Sequence, residues 1–175
     1  MVVLQVSLER TGFVGEGEFS SREQSSIPDA FEIAFLDGLN AEGILPVDVT
    51  VSARRASRPG STPFEGIDQG LALQRARALN ADVVMILDAS LSRQDMIFCR
   101  EERRPFVARA TLWTLGALVL RVTDGARLLV EPPGSGLRVM DVEADCQRRR
   151  IDRRLSAQEL VDAGVRRGLS LMLGR

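Results

Sequence analysis

Phe106-Val107-Ala108-Arg109-Ala110-Thr111-Leu112-Trp113-Thr114-Leu115-Gly116-Ala117-Leu118-Val119-Leu120-Arg121-Val122-Thr123 is the longest stretch of the chain with a period of two. Phe106, Ala108, Ala110, Leu112, Leu118, Leu120 and Val122 fall on one side, and Arg109, Thr111, Trp113 and Arg121 on the other. Side chains of a strand alternate between the faces of a sheet, so this pattern marks a strand with one buried and one more polar face. Gly116 marks an expected bulge or bend within it.

Three further stretches carry the same period. Val2, Leu4, Val6 and Leu8 alternate with Val3, Gln5, Ser7 and Glu9, and Val47, Val49, Val51 and Ala53 with Asp48, Thr50, Ser52 and Arg54. Asp82 to Ser92 is apolar on both sides at its start, as a central strand should be. Short strands are expected around Asp95–Cys99, over Arg127–Glu131 and over Leu137–Cys146, with a hairpin turn at Arg100–Pro105 and a join through Pro132-Pro133-Gly134-Ser135-Gly136.

Between the first two strands, Ser26 can cap a helix over 27–42, with Phe31, Phe35 and Leu39 on one stripe and Gly43 at its end. A second helix is expected over 67–80, behind a loop at Ser57–Pro63. A third begins at the capping box Ser156-Ala157-Gln158-Glu159 and carries Val161, Val165, Leu169 and Met172 inward. The order is β-α-β-α-β, then an antiparallel meander, then a helix. Parallel strands shielded on both faces read as unbroken apolar runs. Three of the four main strands are polar on one side, so the expected fold is a two-layer α/β (α+β) domain over residues 1–175, a mixed sheet with helices mainly on one face.

The residue inventory excludes much chemistry. The 175 residues include no His, no Tyr and no Lys, and the charge is 23 basic against 24 acidic residues. Ser/His/Asp and Cys/His nucleophiles, His-bound metals, Schiff bases and the phosphate-loop lysine are all ruled out. No catalytic residue, cofactor or metal is assigned. The row Asp141, Glu143 and Asp145 could hold a divalent cation on one strand face, against the simpler reading of a solvated face. Near-neutral charge gives no broad pull toward nucleic acid or anionic membrane. Met1 to Glu9 lacks a signal-peptide pattern, and no run is apolar enough to span a bilayer.

Three features remain as partner-binding or structural candidates. Trp113, near Val107 and Leu115 and with Arg109 on the same strand face, marks a partner-binding patch if that face is open, or a core residue if the last helix or a loop covers it. Arg148-Arg149-Arg150, continuing to Arg153 and Arg154, is the densest basic run; it reads as a solvated loop or as a nucleic-acid or acidic-partner site. Cys99 and Cys146 both lie at expected strand ends. A bridge between them suits an oxidising compartment and adds roughly 4 kcal/mol by limiting the unfolded chain; two free thiols suit the cytosol. The bridge is the preferred reading.

The opening strand Val2-Val3-Leu4-Gln5-Val6, the segment from Pro28-Asp29-Ala30-Phe31 through Gly43-Ile44-Leu45-Pro46-Val47, the helix-to-strand run Ala72 to Met85, and the hairpin Leu120 to Leu129 together resemble the amino-terminal domain of TolB and the related CsgG, FlgO and LpoB group. Asn80 stands where that group usually carries Gly. The resemblance implies a non-catalytic interaction or scaffold module of the bacterial cell envelope, periplasmic or associated with the outer membrane, lipid-anchored in some members, binding envelope proteins or its own copies. An RNA-binding module using Arg148 to Arg154, in the cytoplasm, is the alternative.

Overall fold

A computed structural model describes the backbone of residues 2–11, 21–53, 64, 67–133 and 138–175, and the side chains of these apart from 3–11, 21–25 and 51–53. The expected loop at Ser57–Pro63, Gly134 to Gly136 of the Pro-Gly join, and the side-chain alternation of Leu4, Val6 and Leu8 lie outside the described residues.

The elements are β1 (Val2–Thr11), α1 (Ser21–Ala41), β2 (Pro46–Ala53), α2 (Gln69–Ala78), β3 (Val83–Phe98), β4 (Phe106–Arg121), β5 (Arg127–Glu131), β6 (Arg138–Met140), β7 (Val142–Asp145), β8 (Arg150–Arg154) and α3 (Ala157–Met172). The main sheet runs β2-β1-β3-β4-β5, with β6 also paired to β4, and β7-β8 form a separate ribbon. β1, β2 and β3 are parallel, whereas β4 returns antiparallel to β3. This is the expected mixed α/β fold.

Two of the three helices share one face, as expected, and the third covers the other, which the polar alternation of the strands does not anticipate. Phe31, Phe35 and Leu39 of α1 and Leu160, Val161 and Val165 of α3 pack on Met85, Leu87, Leu91, Trp113, Leu115 and Ala117. On the other face, Ala72 and Ala76 of α2 pack on Val84, Ile86, Leu118 and Leu120. The strand order explains this. The β1-to-β2 connection moves one way across the sheet and the β2-to-β3 connection moves back past β1. Right-handed crossovers travelling in opposite directions place their helices on opposite faces. Residues 83–87 and 117–120, apolar on both sides, are where that second helix sits.

β3 and β4 form one uninterrupted ladder from Val83↔Arg121 to Phe98↔Phe106. Asp95–Cys99 is therefore the end of β3 rather than a separate strand. Gly116 lies within this register, opposite Asp88, so it makes no bulge against β3. Its role is close approach: a Cβ there would lie 2.6 Å from the backbone nitrogen of Pro133. The chain between β5 and β6 thus presses on β4 at a point where only hydrogen fits.

α1 begins six residues before the expected start, and Pro28 lies within it. Pro removes one backbone donor; burial of Ile27 and Phe31 on either side holds the turn against the sheet. α2 closes through the bond from Ala81 N–H to the Ala76 carbonyl. Asn80 sits there at φ 52, the left-handed conformation that Asn tolerates better than other side chains with a Cβ.

Candidate functional site

The β3–β4 hairpin is 16 residues on each strand and outruns the helices. Its turn is closed by bonds from Arg103 N–H to the Arg100 carbonyl and from Arg104 N–H to the Cys99 carbonyl. Cys99 and Arg103 take positive φ to make it. Close beside it is the β7–β8 turn, which Asp145 organises by accepting the backbone N–H groups of Gln147 and Arg148 at 2.9 and 3.0 Å. Those bonds, the one from Arg148 foremost, hold the Asp145 carboxyl below its ordinary pKa.

Cys99 and Cys146 join the two turns by a disulfide, with Cα atoms 5.5 Å apart. Arg104 donates to the Gln147 carbonyl at 3.4 Å and Arg149 to the Pro105 carbonyl at 3.2 Å, so the clamp is reciprocal. The fold brings together the Arg100–Arg104 turn and the Arg148–Arg150 run, 44 or more positions apart in the chain.

On one face of this hairpin end, Ile97 and Val107 stand opposite each other, 46% and 65% exposed. Next to them Arg109 donates to Asp95 at 3.0 Å. On the reverse face Phe98 and Phe106 stack with centroids 5.6 Å apart. The result is a small apolar centre with a charged rim, the composition of a protein-docking patch.

Trp113 is not part of it. The indole is fully buried, 4.6 Å from the Phe31 ring and beneath Gly164 of α3. The face expected to be open is the main core, because α1 and α3 both pack there; of the two covers weighed from the sequence, the terminal helix is present. Arg109 lies beyond the helices and is exposed.

The basic run is largely committed within the chain. Arg148 faces Asp145, Arg150 lies 4.0 Å from Asp152, Arg153 meets Glu143 and Glu159, and Arg154 pairs with Asp141 while donating to the Arg109 carbonyl. The segment is a β-turn and strand rather than the expected loop.

The acidic row does not converge either. Asp141 is buried and accepts the Thr111 N–H at 2.7 Å, continuing the β6 edge of β4. Glu143 turns to Arg153 and Asp145 to its own turn. Among the described residues, the group whose ligand atoms lie close enough for an ion is Cys99, Glu102 and Cys146, and both sulfurs are spent on the disulfide.

Asp141→Ala should cost about 2–3 kcal/mol by orphaning a buried N–H and the half-buried Arg154, measured by urea unfolding. Asp141→Asn should cost less, since its amide oxygen still accepts from Thr111.

The start of α3 supplies a pH-dependent element. Ser156 and Glu159 form the capping box read from the sequence. The Ser156 backbone N–H, then its hydroxyl, then Arg153 lower the Glu159 pKa. A carboxyl depressed in the folded state stabilises it above the unfolded value, and that contribution is lost as pH falls through the folded value. The melting temperature should therefore drop on acidification below the ordinary carboxylate range, and Glu159→Gln should flatten that slope in a pH series of thermal melts.

No family model matches the chain, and no curated protein matches it. Solved structures to which it is similar include the PelC dodecamer from Paraburkholderia phytofirmans, at 15% identity and a TM-score of 0.41, covering 99% of this chain and 88% of that one. The hypothetical protein CT253 from Chlamydia trachomatis is similar at 12% identity and 0.40, covering 99% of both chains. A neuraminyllactose-binding hemagglutinin homolog from Helicobacter pylori follows at 10% identity and 0.33, covering 98% of this chain and 82% of that one. Among the described residues, no helix is long and apolar enough to cross a membrane.

Proposed function

We propose that this chain is a non-catalytic protein-interaction module of the bacterial cell envelope, docking through the disulfide-clamped end of the β3–β4 hairpin. The observation that carries the reading is the exposed pair Ile97 and Val107, held rigid beyond the helices by the Cys99–Cys146 bridge. A bridge of this kind persists outside the reducing cytosol. The residue inventory supports binding over catalysis, since His, Tyr and Lys are missing from the sequence and both cysteines are bonded. Internal ion pairing of Arg148 to Arg154 weighs against the nucleic-acid alternative.

The test combines fractionation of native cells with thiol alkylation and site-specific crosslinking from position 107. Recovery in the envelope fraction, alkylation-resistant cysteines and a discrete crosslinked protein band lost in Ile97→Asp are expected. Cytosolic recovery with both thiols alkylated would overturn the compartment, and crosslinking unchanged by Ile97→Asp would overturn the docking surface.

A further inference from the structure

The outer edge of β5 is open. Among the described residues β5 pairs with β4 alone, through Val119↔Leu129, Leu118↔Val130 and Ala117↔Glu131. The N–H and C=O groups on the far side of such a strand are a template for another chain, and folded proteins usually block them with charge or cover. Here the middle of the strand is Leu128, Leu129 and Val130. Leu128 and Val130 are 48% and 44% exposed, and Val130 stands beside Leu118 on the α2 face of the sheet.

The opposite face of the same edge is a groove. Leu129 and Glu131 turn toward α3, because their ladder partners Val119 and Ala117 belong to the core beneath α1 and α3. From the helix, Arg167, Ser170, Leu171 and Gly174 follow at i, i+3, i+4 and i+7, a single stripe. With Leu129 and Glu131 they line a cavity of ≈ 350 Å³, at the small end of ligand sites. Leu171 is buried at its floor and Arg167 exposed at its rim.

The register fixes the levels along this groove. Gly164 lies over Trp113, and a Cβ on Gly168 would be 3.7 Å from Leu87, whose ladder partner Ala117 pairs in turn with Glu131. Arg167 therefore stands near the Glu131 level, and Ser170 and Leu171 lie one turn further on, toward Leu129. Glu131 is already engaged, whereas Arg167 makes no ion pair with a described side chain. Side chains on one face of a strand are two residues, roughly 6.7 Å, apart. One face of a strand added here would thus meet an apolar place beside Leu129 and Leu171 and, two residues along, a cationic place at Arg167.

We propose that β5 and α3 form a receptor for an extended segment of another protein. The segment adds to the sheet as a strand beside β5, seats an apolar side chain between Leu129 and Leu171, and sets a carboxylate two residues away against Arg167. Backbone bonds to β5 supply affinity, and the alternate side chains supply selection. On the other face, Leu128 and Val130 gain cross-strand neighbours. The groove flanks positions 117–119 of β4, while the docking patch lies near 107 at the far end of that strand. The two surfaces are separate, so this inference and the hairpin reading fail independently.

The experiment is fluorescence anisotropy with labelled, capped hexapeptides titrated into the full chain, disulfide intact. The probes are Asp-Thr-Leu-Thr-Val-Thr and its reversal, which sample both strand directions. Saturable binding of at least one is expected, with amide shifts in the protein's NMR spectrum centred on residues 127–131 and 167–171. The scrambled peptide Asp-Leu-Thr-Thr-Val-Thr puts Asp and Leu on opposite faces and should bind about tenfold more weakly, the loss expected for one charged contact. Arg167→Glu should weaken binding of the probe by about the same factor. Ser170→Leu, which fills the cavity, should abolish it, and both variants should melt like the parent because neither position is in the core. N-methylation of alternate peptide residues removes donors that face β5 in one set and solvent in the other. One methylated peptide should therefore fail and the other bind as before. Failure of both probes, equal binding of the scrambled peptide, equal effects of the two methylation patterns, or shifts at residues 97–107 in place of β5 would each overturn the inference.

Discussion

Replacing Trp113 with Ala is expected to lower the free energy of unfolding by about 3–5 kcal/mol, a loss typical of removing a large aromatic from a packed core. The indole is fully buried, its ring tilted against Phe31, and Gly164 lies so close that a Cβ there would be 2.8 Å from it. α3 therefore rests on the tryptophan itself, and a void in that place leaves the helix without support. Its Nε1 is buried without an acceptor. Trp113→Phe should consequently cost far less than Trp113→Ala, since it keeps much of the ring and removes an unsatisfied donor. Urea unfolding of the three proteins is the measurement. A residue serving as a surface contact would leave the midpoint unchanged in the alanine variant, and that result would remove Trp113 from the core.

The two readings of Trp113 left open by the sequence show which physical information a strand pattern holds. Periodicity assigns Trp113 and Arg109 to one face correctly, because alternation is a local property of the backbone. Which face is covered depends on where helices land, and that follows from strand order. β1 lies between β2 and β3, a long-range fact that no local pattern contains. The short apolar sides of α2, Ala72 and Ala76, gave little sign that it would cover a second face. Gly116 reads as a bulge or bend for a similar reason: a Cβ there is excluded by Pro133, which is remote in sequence and adjacent in space.

Local chemistry was more legible. The Ser156–Glu159 box, the Arg100–Pro105 turn and the helix-to-strand run ending at Met85 all follow from interactions among near neighbours. The candidate docking end was half visible. Its cysteines and arginines stand out by type and Val107 as a neighbour of Trp113, but Ile97 does not, since a single apolar residue at a strand end is unremarkable until the helices are known to stop short of it.

Removing the bridge should produce the second large effect. Cys99→Ser/Cys146→Ser is expected to be less stable by about 4 kcal/mol, the entropy gained by an unfolded chain released from a closed loop of this length; the cysteines are 47 positions apart. The loop contains β4 through β7, so the constraint acts on the unfolded state of almost the whole meander. A local effect accompanies the global one. Without the bond, the turns at 100–103 and 146–149 are joined by two arginine-to-carbonyl contacts at 3.4 and 3.2 Å, both solvent-exposed and weak. Amide exchange should therefore rise first at residues 97–107 and 144–151 while the β3–β4 amides near Leu87 and Ala117 stay protected. Dithiol reduction of the parent protein should reproduce both changes. Equal unfolding midpoints for oxidised and reduced protein, with identical exchange at the two turns, would mean that the hairpins hold each other without the sulfur bond, and the rigid docking end would lose its physical basis.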